Sequence, residues 1–212
     1  MNQRIFGDAF RQEFEELLAW RRDVRHFRTD PVPAELVEHL LDLTSLSPSV
    51  GNAQPWRFVS VDAPERRAAI VANFQGANEA ALSNYEGERA ELYARLKLAG
   101  LREAPRHLAI FCDETTPQGA GLGRLTMPET LRYSTVLAIH TLWLAARAHG
   151  LGLGWVSIID PAAATETLDV PKGWSFVAYL CLGYPAEDHV EPELQRRGWQ
   201  ARESACRQVL QR

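Results

Sequence analysis

Residues 20–27 read WRRDVRHF, so that Arg21, Arg22 and Arg25 crowd around one carboxylate, Asp23, between aromatic neighbours. Guanidiniums are planar forks of donors suited to phosphate, and three together predict an oxyanion cradle. Asp23 would then hold one arginine in place or act on the ligand itself. The competing reading is a helix C-terminus whose cations complement the dipole, and residues 20–27 alone leave both open. A second stretch, SPSVGNAQPWRF at 47–58, sets a Pro-Ser turn, a glycine and amide side chains between a helix and a strand. Small residues with exposed backbone donors suit close approach to a flat, polar-edged ligand. An ordinary loop capped by side-chain hydrogen bonds is the alternative.

Other chemistries find less support. GLGLGW (150–155) and GAGLGR (119–124) place glycines at every second position, not at GxGxxG spacing. The first also follows a helix and precedes a strand, the reverse of a dinucleotide-binding turn. A helix C-cap with close backbone packing explains it better. The six histidines are scattered, and His140 and His149, nine positions apart on one helix, face opposite ways. No metal site is expected. Ser157 follows Gly154-Trp155-Val156 and lacks the GxSxG elbow of a hydrolase. Cys112 and Cys181 lie in apolar runs, as inert buried thiols do, and with Cys206 they are too few for a disulfide framework.

The elements that must position these residues follow from periodicity. Helices are predicted over about 12–22, from 34 to a stop at Ser47-Pro48, over 64–83 and 85–101, and over 161–168. A long helix is predicted over 126–150, with Thr126 and Glu129 at capping-box spacing. From Val136 to Ala148 it is apolar on nearly all sides, so it belongs in a core or a subunit interface. Strands are predicted at 56–62, 106–113, 153–159 and 174–185. Strands separated by helices admit a doubly wound parallel sheet, but two helices precede the first strand, which favours an α+β fold on a mixed sheet. With 212 residues, 46% hydrophobic and 24% charged, one domain over 1–212 is expected. A net charge of -4 and a pI near 5.9 give no general case for nucleic acid or membrane binding. No uncharged apolar run reaches the roughly 18 residues of a membrane span, and the first ten residues lack a signal-peptide pattern. A cytoplasmic protein is expected.

Together RRDVRHF, SPSVGNAQPWRF and GLGLGWVSI, in this order, resemble the FMN-dependent nitroreductase family. Its members carry Arg-Arg-Ser-x-Arg after the first helix and a Pro-Ser-x-x-Asn-x-Gln-Pro-Trp loop. The resemblance implies a nitroreductase-like α+β fold, a mixed, mostly antiparallel sheet flanked by helices, in a homodimer. Asp23 in place of the usual serine, with YEGERAELYARLKLAGLREAP (85–105), TLWLAARAHGLGLGWVSI and PELQRRGW, narrows it to a flavin-consuming subgroup. There, reduced FMN and O2 become 5,6-dimethylbenzimidazole, the lower ligand of vitamin B12, and a four-carbon sugar phosphate, D-erythrose 4-phosphate.

On that resemblance Arg21, Arg22, Asp23, Val24 and Arg25 contact FMN, and Ser49 and Gly51 line it. Arg89 and Leu98 belong to a lid around 84–103 that reaches over from the partner subunit. Ser157 lies close to the flavin ring, and Asp23 and Ser157 carry the chemistry. Breaking up the ring requires proton transfers at the ribityl carbon and ring nitrogens, work for a carboxylate acting as acid or base. The nearby cations are expected to favour the ionised form of Asp23. Reduced flavin would come from a separate flavin reductase or from NAD(P)H. The rivals are an NAD(P)H-dependent FMN nitroreductase, a corrinoid reductase, and a flavin-binding protein without turnover.

Overall fold

The computed structural model describes residues 4–203 and 206–212. Four strands, β1 (Trp56–Ser60), β2 (Arg106–Asp113), β3 (Gly152–Val156) and β4 (Trp174–Gly183), form one sheet in the order β1-β2-β4-β3. Every strand pairing in it is antiparallel. A parallel component is confined to the bridge between Asp23 and Leu153.

Strand alternation decides which helices cover which face. Leu108, Ile110, Leu153, Ala178, Leu180 and Leu182 point to one side, where α2 (Ala34–Thr44) and α5 (Thr130–Ala148) supply Val37, Leu40, Ile139 and Leu142. Ala109, Phe111, Tyr179 and Cys181 point to the other, against Ile70 of α3 (Pro64–Leu82) and Ala164 and Leu168 of α6 (Pro161–Leu168). Cys112 and Cys181 are both buried, and burial pushes the Cys181 thiol up to about 12.

Three elements depart from expectation. The helix predicted over 85–101 is α4, Gly87–Arg95, and the chain turns extended at Leu96 (ψ 131). Its residues are good helix formers to the end, but Gly100 is packed so tightly on Phe27 that a Cβ would lie 2.4 Å from the ring. That contact holds 96–100 along the strap described below. The helix predicted from Thr126 begins at Thr130, with no capping box: Thr126 Oγ1 donates to the Gly123 carbonyl instead (3.2 Å), and Pro128 precedes the first turn. Its surface is not apolar all round within one chain. Ser134, Thr135, Ala138 and Ile139 are buried, while Tyr133, Val136 and Leu137 are exposed. Finally α1 (Asp8–Trp20) is amphipathic but buries none of its residues, leaving Phe10, Phe14 and Leu18 open.

Candidate active site

After α1 the chain runs as an extended strap over residues 21–28. The Val24 amide donates to the Leu153 carbonyl (3.1 Å) and the Arg28 amide to that of Tyr184 (2.9 Å). This needs close approach to β3, which the glycines at 150–154 permit: a Cβ on Gly154 would lie 2.1 Å from the Val24 carbonyl oxygen, and one on Gly152 2.7 Å from the Val24 side chain. The alternating glycines are therefore packing features of the site, as the sequence suggested. The Trp143 indole N–H of α5 donates to the Arg22 carbonyl (3.0 Å) and fixes the strap from the other side.

With the main chain tethered, the side chains diverge. The Arg21 guanidinium lies over the Trp143 ring, 4.9 Å from its centroid. Arg22 Nε donates to the Val190 carbonyl (2.7 Å). Arg25 is nearly enclosed; its Nε donates to Asp23 Oδ2 (3.1 Å), and Nη1 reaches the Lys97 carbonyl (3.5 Å). Asp23 Oδ1 accepts the Trp155 amide (2.8 Å). The acid thus serves Arg25 and β3, not all three cations.

Electrostatics acts on Asp23 in two directions. Burial raises the Asp23 pKa, and this outweighs Arg25, the Trp155 amide and Arg21, each of which opposes it. The cations still favour the ionised form, as expected, but burial moves the carboxyl pKa above its ordinary value. Its side chain still keeps 31% of its exposure, opening into a cavity. Arg21 and Arg22 have lowered pKa values, first from burial; for Arg22 the next cause is Arg202, which also lowers Arg21 after Asp23 has opposed the shift. Sequence reasoning missed Arg202, which has no fixed spacing from the cluster. Gathering it with Arg21 and Arg22 makes a field suited to an anion.

A cavity of about 220 Å³ is lined by Asp23, Arg25, Tyr93, Leu96, Leu98, Trp155, Ser157, Ile158, Leu194 and Trp199. The lining combines a few polar groups, Asp23, Arg25 and Ser157, with apolar and aromatic side chains, as small-molecule sites do. The structure thus brings together Asp23, Arg25, Ser157 and Leu98. Leu98 lines this cavity within its own chain. Arg89 lies outside the lining, its guanidinium on the Trp199 ring. Ser49 and Gly51 are elsewhere: the Val50 amide donates to Ser134 Oγ on α5 (3.0 Å), nine residues and about 13 Å along the helix from Trp143. Ser49 Oγ accepts the Gln54 amide (3.1 Å), as a capped loop would.

The strap, the antiparallel sheet and the cavity between them define a class. Residues 18–184 match the model of the Nitroreductase family, and the chain belongs to that family. Among curated relatives, 5,6-dimethylbenzimidazole synthase of Rhodospirillum rubrum is 60% identical over 93% of this chain and 94% of its own. The protein of the same name from Rhodobacter capsulatus is 51% identical over 92% and 94%. Among solved structures, iodotyrosine deiodinase bound to FMN and 3-iodo-L-tyrosine superposes with a TM-score of 0.69 at 26% identity, covering 82% of this chain and 91% of that one.

Proposed function

We propose that the chain is a 5,6-dimethylbenzimidazole synthase that acts on reduced FMN and O2. The observation that carries this reading is the 60% identity to the Rhodospirillum rubrum synthase over nearly the whole of both chains. The site fits the substrate. Arg21, Arg22 and Arg202 offer a cationic corner for the phosphate, and the slot between Trp155, Leu96 and Leu98 accepts the ring with Asp23, Arg25 and Ser157 at its edge. When bound, reduced FMN supplies both the electrons for O2 and the carbon skeleton of the product.

The chain's residues orient the ring and move protons. Asp23, held by Arg25 and the Trp155 amide, presents a carboxyl whose raised pKa suits giving as well as taking a proton. Ser157 relays a proton or orients a reacting group at the ring. The walls formed by Leu96 and Leu98 keep water out. Val24 contributes backbone: its amide donates to the Leu153 carbonyl and so holds the strap to β3.

The active form is a homodimer. The support is the apolar stripe Tyr133, Val136 and Leu137 on α5 and the Phe10, Phe14 and Leu18 face of α1, exposed in one chain. In such a dimer Ser49 and Gly51 reach the flavin of the partner's strap, which explains their distance from Asp23. The Arg89–Leu98 lid then closes over its own subunit's cavity. Reduced flavin comes from a separate flavin reductase or from NAD(P)H. The test is flavin balance: reduced FMN incubated with the protein in air loses total flavin, and under nitrogen does not. Full recovery of FMN in air would favour the nitroreductase or corrinoid reductase alternatives.

A further inference from the structure

Nothing in α4 itself explains why it stays on the cavity. It has nine residues, GERAELYAR, and only Tyr93 is buried. So short and charged a helix is unstable without packing. What holds it is a cluster centred on Trp199. The Arg89 guanidinium lies 3.7 Å from the Trp199 ring centroid, and Arg89 Nη1 donates to the Trp199 carbonyl (3.0 Å). Tyr85 and Tyr93 stack on each other (4.9 Å) and turn onto the indole at 5.4 and 5.9 Å. Tyr93 Oη donates to Asn78 Oδ1 on α3 (2.9 Å), and the Trp199 amide donates to the Leu194 carbonyl (2.8 Å), so both sides are anchored. Tyr93, Leu194 and Trp199 are also walls of the Asp23–Ser157 cavity.

We propose that Trp199 is a positioning residue, latching the 87–98 segment over the Asp23–Ser157 cavity through Arg89 and the two tyrosines. Arg89 holds the segment in place through Trp199. The latch rests on the synthase reading for its use, which is to keep the reacting site closed to water, but its mechanical part is testable without turnover.

Hydrogen exchange of the full chain, with and without FMN, reads it directly. In Trp199→Ala and in Arg89→Met, amides of residues 88–95 should exchange at least tenfold faster while those of β2 are unchanged. Trp199→Phe, which keeps an aromatic face, should retain most of the protection. With reduced FMN in air, Trp199→Ala should lower kcat more than it raises KM and yield less product per flavin consumed. Unchanged exchange at 88–95 in both variants overturns the latch. If Trp199→Ala also exposes β2, Arg89→Met alone decides. If exchange rises as stated but the unaltered protein makes no 5,6-dimethylbenzimidazole, the latch stands and the synthase reading falls.

Discussion

Asp23 is where a count of charges and the folded geometry disagree. Three arginines within two positions of an acid suggest an ionised carboxylate. Yet only Arg25 bonds to it, and burial raises its pKa. The sign then follows. A carboxyl with a raised folded pKa keeps its proton above pH 3.8, and the stability this confers is full below 3.8 and lost as pH rises through the folded value. The unfolding temperature of the FMN-free protein, relative to Asp23→Asn, should therefore fall as pH rises from 3.8; a flat difference would contradict the assignment. In catalysis, Asp23→Asn should leave FMN affinity within a few-fold while product formation drops by about 10²–10⁴. Isothermal titration beside a turnover assay separates the two, and equal turnover would remove Asp23 from the chemistry.

At the scale of elements, β2 and α6 were legible to the residue, because a buried strand and a Pro-started helix are marked locally. The end of α4 was not: Glu, Arg, Ala, Leu and Lys continue past Arg95, and the stop is set by Gly100 meeting Phe27, seventy positions away. The start of α5 misled for a similar reason, since Thr126 and Glu129 have capping-box spacing but Thr126 is used by the Gly123 turn. The glycines of β3 were legible as packing residues, although what they pack against required the fold. Gly154→Ala tests this. Its Cβ would meet the Val24 carbonyl oxygen at 2.1 Å, a side-chain carbon against fixed backbone, and overpacking of this kind costs about 1–3 kcal/mol. Chemical denaturation should show that loss, and FMN binding should weaken as the strap lifts. A variant with unaltered midpoint and affinity would show that the strap moves freely.

For the whole molecule, the sequence identified the family and the flavin from three motifs in order, yet the loop with Ser49 and Gly51 is not beside the strap within one chain. The proposed partition of the site between two subunits would reconcile the motifs with the distance. Val136→Asp with Leu137→Asp, on the exposed stripe of α5, should shift the protein in sedimentation from twice 23.8 kDa to 23.8 kDa and abolish FMN binding together. Monomers that still bind FMN would refute a shared site. Among the described residues no helix is long and apolar enough to cross a membrane, and no group of three or more metal-ligating side chains gathers. Consumption of the flavin is tested most directly by mass spectrometry of the products after the purified protein meets reduced FMN in air with no other source of carbon. The expected result is 5,6-dimethylbenzimidazole formed as flavin disappears; intact FMN and no benzimidazole would contradict it.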